Sequence, residues 1–190
     1  MTSIILAPAV QLTDWQFEQI CQQNPLTSFE LSAKGELIVV PPVGGEAGRR
    51  EFALLSQLGH WAARNPSGIG FSSQTIFQLP NGAKRMPDFA WVWRERWDKL
   101  TPEQKRGFPP LAPDFVVELR SPSDSLQELQ AKMQEYARAG VPLGWLIDPI
   151  RRTVEVYQPD VETKIVRTDA IAGDPLLPGL TLDLLRLWQN

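Results

Sequence analysis

The chain has one histidine and one cysteine in 190 residues, and these two scarcities exclude a good deal. His60 alone cannot build a His-rich zinc site or a two-metal histidine cluster. Any Ser-His-Asp or Cys-His nucleophile system would depend entirely on it, with no supporting motif nearby. With Cys21 alone, no intramolecular disulfide can form, so a reducing cytoplasmic location is expected. No apolar run approaches the roughly 20 residues needed to cross a bilayer. Met1–Val10 is apolar and lacks the Lys and Arg of a secretory signal. Excess positive charge is also missing. A net charge of −3 argues against a protein that coats nucleic acid by bulk electrostatics, so any such contact must be local. The short basic clusters Arg49-Arg50, Lys84-Arg85, Arg94-Arg96-Lys99 and Lys105-Arg106 read as solvated surface unless they converge on one cleft.

What remains is a chain 43% hydrophobic and 22% charged, ordinary for one globular domain. Thr13-Asp14-Trp15-Gln16 is a capping box opening a helix to about Gln23. Strands are expected near 27–31 and 36–40, then a helix over 46–64 with Phe52, Leu55, Gly59 and Ala62 along its apolar stripe. Strands at 69–72 and 75–79 and a turn at Asn81-Gly82 precede the run Phe89-Ala90-Trp91-Val92-Trp93. An insertion over 94–113 carries its own capped helix at Thr101-Pro102-Glu103-Gln104. A strand near 114–120 leads into a helix over 124–139 that Gly140 ends, followed by strands at 143–147 and 153–157. This order predicts a mixed α/β sheet flanked by helices. Residues 1–45 form an N-terminal helix and hairpin, 46–160 the core and 161–190 a C-terminal extension.

Two carboxylates stand out. Asp88 heads one apolar run, and Glu118 interrupts another, Asp114-Phe115-Val116-Val117-Glu118-Leu119-Arg120. A carboxylate in a strand is costly to bury without a partner. Strand alternation puts Val116, Glu118 and Arg120 on one face. On neighbouring strands, Asp88 and Glu118 could share one hard cation, and Mg²⁺ suits two carboxylates completed by water and phosphate oxygens. On the following helix, Leu126, Leu129, Met133 and Ala137 form the expected buried stripe. Lys132 lies about 60° from Leu129, on the shoulder of that stripe, at about 100° per residue. From there it can snorkel to solvent or reach toward the sheet.

These residues carry a resemblance. Pro87-Asp88 followed by Glu118-Leu119-Arg120 is similar to the PD-(D/E)XK nuclease pattern. The run FVVELRSPSDSLQELQAKMQEYARAGVPLGWLIDP, with FELSAKGELIVVPP and LPNGAKRMPD before it, resembles the Uma-type family of restriction-endonuclease-like proteins over nearly the whole chain. The resemblance implies a restriction-endonuclease-like α/β fold and a nuclease that hydrolyses DNA with Mg²⁺ or Mn²⁺. It puts Asp88 and Glu118 at the two acidic positions. Arg120 stands where the pattern has lysine; an arginine stays protonated and cannot act as a base, though it can neutralise a phosphorane. Lys132 fits the place to which the family moves its lysine. A further acid normally comes from the preceding helix, and Glu46 is the first choice, with Glu51 and Glu30 as alternatives. A non-catalytic nucleic-acid-binding or assembly module on the same fold is the competing reading, favoured by Arg120 and the acidic net charge. A carboxylate-pair glycosidase explains nothing further. Trp97 and Trp188 are placed to stack on a base or anchor a dimer contact. A homodimer is expected, because cutting both DNA strands needs two sites.

Overall fold

The computed structural model describes residues 2–6 and 10–189; Met1 and 7–9, within the apolar opening run, and Asn190 lie outside the described residues. In chain order the elements are β1 (Thr2–Ile4), α1 (Asp14–Gln23), β2 (Ser28–Leu31), β3 (Leu37–Val40), α2 (Gly45–Ala63), β4 (Gly68–Ser72), β5 (Phe77–Gln78), β6 (Lys84–Arg85) and β7 (Phe89–Trp93). There follow α3 (Arg94–Asp98), α4 (Pro102–Arg106), β8 (Phe115–Leu119), α5 (Leu126–Arg138), β9 (Leu143–Asp148), β10 (Thr153–Tyr157), β11 (Lys164–Val166), β12 (Ala170–Ala172), β13 (Thr181–Asp183) and α6 (Leu185–Trp188). Both expected capping boxes are present. Thr13 and Gln16 close α1, and Thr101 and Gln104 close α4, so each helix start satisfies two backbone donors.

Among the described residues, a six-stranded sheet runs in the order β11-β10-β9-β8-β7-β4, and only β8 and β9 pair in parallel within it. A parallel pair needs a crossover, which α5 supplies. A second sheet, β1-β3-β2-β6-β5, extends the N-terminal hairpin on its β2 side with two short strands from residues 77–85. The expected strand at 75–79 therefore shrinks to Phe77–Gln78 and joins the smaller sheet.

The large sheet separates two apolar layers, as alternation requires. On one face Phe89, Trp91, Phe115, Val117 and Trp145 meet α2 and the C-terminal tail. On the other, Ala90, Val92, Val116 and Leu146 meet Leu129, Met133 and Tyr136 of α5. A third cluster, with Phe17, Phe29 and Leu37, lies between α1 and the small sheet.

Two helix faces differ from expectation. In α2 the buried residues are Arg50, Leu54, Leu58 and Trp61, while Phe52 is 74% exposed. Leu54, Leu58 and Trp61 repeat at i, i+4 and i+7 as well as the expected stripe does, so period alone could not choose between them. In α5 the buried face is Leu129, Lys132, Met133 and Tyr136, turned from the expected stripe toward the lysine. Trp188 is also no free ring: it is buried and donates from Nε1 to the Thr168 carbonyl. Trp97 is half-buried against Phe71, 5.0 Å between ring centroids.

Candidate active site

Asp88 and Glu118 come together because of strand register. β7 and β8 are antiparallel, pairing Phe89 with Val117, and one further step in that register sets Asp88 opposite Glu118. Both therefore face α5, on the side of Ala90 and Val116. Glu118 is near the carboxyl end of β8, the end at which α/β sheets gather their ligand-binding groups. A cavity of about 360 Å³ opens there, lined by Asp88, Glu118, Lys132, Glu30, Glu51 and Arg120 among others.

The Asp88 carboxylate accepts the Leu119 N–H through Oδ2 at 2.6 Å. Glu118 Oε1 accepts from Lys132 Nζ at 2.7 Å and from the Tyr136 hydroxyl at 3.1 Å. Among the described residues, Asp88 Oδ1 and Glu118 Oε2 receive no hydrogen bond, so each acid keeps one oxygen available. Burial pushes the Asp88 carboxyl up to about 6, with Glu51 and Asp124 adding repulsion and the Leu119 N–H and Lys132 opposing. Burial also holds Glu118 well above the usual carboxylate range, against the pull of Lys132 and with the charges of Asp88 and Glu30 adding to it. Two carboxylates this reluctant to ionise are short of positive charge.

Lys132 is buried and turned inward, not snorkelling. Its ammonium lies 2.7 Å from Glu30 Oε1, 2.7 Å from Glu118 Oε1 and 3.2 Å from the Met86 carbonyl. An ammonium has three donors, and these three acceptors occupy them all. Burial opposes its charge, but Glu118 and Glu30 outweigh that and keep it protonated. Lys132 is thus a fixed positive charge and no base.

Glu30 is the residue whose place sequence reasoning undervalued. It sits in β2, 1% exposed, and links the two sheets. Besides Lys132, it accepts the Met86 N–H at 2.9 Å and Arg85 at 3.0 Å. Burial works against its charge, yet Lys132 and Arg85 outweigh burial and hold its carboxyl below the usual range. Arg85 continues to Glu135 at 2.5 Å, and Glu135 accepts the Ala33 N–H at 3.1 Å. The pair Lys84-Arg85, expected on a solvated surface, is buried on both counts, at 1% and 7% exposure. The signal available was position: both precede the Pro87-Asp88 strand, where buried carboxylates need cations.

The remaining expected residues divide. Glu46 does not line the acid cavity; it is exposed and paired with Arg50 at 2.5 Å, one turn further along α2. Five residues on, near the opposite side of the helix, Glu51 does line the cavity and accepts the Ser73 hydroxyl at 2.6 Å. The helix therefore offers Glu51 in the place expected for Glu46. Arg120 lines the cavity, but its guanidinium is engaged by Asp148 at 2.8 Å and by the Asp124 carbonyl at 3.3 Å.

A divalent cation fits this donor set. Among the described residues no group of three or more His, Cys, Asp or Glu could hold a metal. Mg²⁺ is commonly held by one or two carboxylates with water and substrate oxygens completing the shell, and two carboxylates with open oxygens meet that requirement.

The sequence matches, over residues 15–185, the model of the Uma2 family, described as "Putative restriction endonuclease". A solved structure from Anabaena variabilis ATCC 29413, described as a putative nuclease belonging to DUF820, superposes with a TM-score of 0.75 at 21% identity, covering 93% of this chain and 97% of its own. At that identity the likeness shows the shared fold. No curated protein matches. No helix among the described residues is long and apolar enough to cross a membrane.

Proposed function

The chain belongs to the Uma2 family, and from that membership and its acid cavity we propose that it is a divalent-cation-dependent nuclease hydrolysing DNA phosphodiester bonds. The supporting observation is the convergence of Asp88, Glu118 and buried Lys132 on one cavity from two adjacent strands and the helix behind them. Asp88 and Glu118 would hold Mg²⁺ or Mn²⁺ through the oxygens that no donor occupies. When bound, such a cation acidifies a water and offsets charge developing on the phosphate. The chain's own groups do the rest. The Leu119 N–H fixes Asp88, and Lys132 with Tyr136 fixes Glu118, so the ligand oxygens are held before any cation arrives. In hydrolysis the water oxygen bonds to phosphorus, one P–O ester bond breaks, and the released sugar oxygen takes a proton. Lys132 can contact the phosphate only by giving up one of its three acceptors, so its first role is to position Glu118. Glu51 is the group on α2 best placed to add a third carboxylate. Two-strand cleavage calls for two such sites, hence a homodimer, which light scattering on the eluting protein will read.

The test is nicking of supercoiled plasmid by the purified protein with Mg²⁺ or Mn²⁺. Wild type nicks, while Asp88→Asn and Glu118→Ala do not. Titration calorimetry with Mn²⁺ on the same proteins separates the alternative. A non-catalytic module on this fold, the reading that Arg120's engagement with Asp148 favours, leaves Mn²⁺ affinity unchanged by Asp88→Asn and nicks nothing.

A further inference from the structure

The acid cavity does not end at its carboxylates. Arg50 lines both it and a second cavity of about 300 Å³ that also takes in Glu46, Pro122 and Arg152. Arg152 and Trp188 in turn line a third, of about 380 Å³, together with Arg167. Three adjoining hollows thus run from the acid site past the start of α2 to the β9–β10 turn and the segment after β11. Arg152 and Arg167 are exposed, and among the described residues neither makes an ion pair. The acids beside them are Glu46, already paired with Arg50, and Asp169.

Two observations indicate that Arg152 is placed rather than incidental. Its backbone is left-handed, φ 52°. An L residue is strained there, and glycine serves such turns better. The turn is also tied to the active-site strand. Buried Asp148 accepts Arg120 of the acid cavity through Oδ2 and the Ile150 and Arg151 N–H groups through Oδ1, at 2.8, 2.9 and 3.1 Å. The position of the turn relative to the acid cavity is therefore set by one carboxylate that both share.

We infer that this trough carries the phosphate backbone of DNA beyond the acid cavity, with Arg152 and Arg167 contacting phosphates other than the one that is cut. The inference rests on the nuclease reading. It also accounts for how a chain of net charge −3 holds a polyanion: the contact is local.

The experiment uses the full chain with Ca²⁺ and a fluorescein-labelled DNA duplex several helical turns long, followed by anisotropy across a salt series. The double variant Arg152→Gly/Arg167→Gln keeps its turn, because glycine accepts the positive φ, and its melting temperature does not fall. It binds more weakly than wild type by the same factor for duplexes of unrelated sequence, and its slope of log affinity against log salt is shallower by about 2. Unchanged affinity and slope overturn the inference, as does a wild type that binds no duplex. Hydrolysis of bis(p-nitrophenyl) phosphate by wild type with Mn²⁺ keeps the two claims apart, since this small diester needs the acid cavity alone. Hydrolysis with arginine-independent DNA binding removes only the trough; arginine-dependent binding without hydrolysis removes only the nuclease reading.

Discussion

Lys132 and Glu118 are bonded to each other, yet losing one differs from losing the other. Removing Lys132 leaves Glu30, Glu118 and Asp88 facing one another with one ammonium fewer, and stripping one partner from a buried charge pair costs about 3–5 kcal/mol. Lys132→Met should lose about that much in urea denaturation at neutral pH. Glu118→Gln leaves Lys132 its Glu30 partner and removes a carboxylate that burial disfavours, so stability should change by less than about 1 kcal/mol while nicking is lost. A large loss for Glu118→Gln shows a structural role. Asp88 gives a pH signature in the metal-free protein. Its folded carboxyl binds a proton more tightly than the unfolded one, about 6 against 3.8, so its contribution is full below the lower value and fades as pH rises through the higher. The gap corresponds to up to about 3 kcal/mol of stability lost between roughly pH 4 and 6, and Asp88→Asn should flatten that decline. Cation affinity runs the opposite way, rising through pH 6 as the ligand deprotonates. The two strand acids were legible because carboxylates in apolar runs need a reason. Lys84 and Arg85 were not, because their burial depends on Asp14, Glu30 and Glu135, brought to them from distant parts of the chain.

Among the elements, the starts of α1 and α4 were legible to the residue, since Thr13 and Thr101 cap through local bonds that sequence spacing specifies, whereas α5 begins at Leu126, two residues later than its expected start at 124. The face of α2 was not. Two apolar stripes compete on it, and the winner is set by Trp61 packing at a tilt against Trp91, 4.6 Å between centroids, a contact between elements far apart in sequence. Gly68 makes that contact possible. A methyl group there would lie 2.3 Å from Cε2 and Cζ2 of the Trp91 indole, and a ring wedged between Trp61 and β4 has little room to move. Gly68→Ala should therefore cost about 1–3 kcal/mol, the usual penalty of overpacking a core, read as a fall in the urea midpoint. Gly140, whose φ is positive at 90° after α5, has open space where a methyl would go, so Gly140→Ala is strained by its backbone alone and should cost about 1–2 kcal/mol.

At the scale of the molecule, the C-terminal segment is part of the core. Residues 161–190 read in sequence as a C-terminal extension; in the structure β11 is an edge strand of the large sheet and the tail covers its α2 face. Leu177, Leu180, Leu182, Leu184 and Leu187 are at most 1% exposed, and Trp188 is 5% exposed. Burying each such side chain contributes about 1.5–3 kcal/mol. Six of them amount to about 9–18 kcal/mol, as much as the whole net stability of a typical domain, about 5–15 kcal/mol. Trp61 also donates to the Pro178 carbonyl, and Gln57 is bonded in both directions to the Asp183 backbone, so α2 loses polar partners together with its apolar cover. A chain ending at Pro175 should consequently fail to fold: its circular dichroism should show no cooperative melt and its gel-filtration profile an expanded or aggregated species. A cooperative melt from that truncated chain shows that residues 2–175 are a domain on their own and that the tail only decorates it. The same α2 bears Glu51 on the acid cavity, so in this arrangement the tail sets the position of one wall of the site without contributing a residue to the acid cavity.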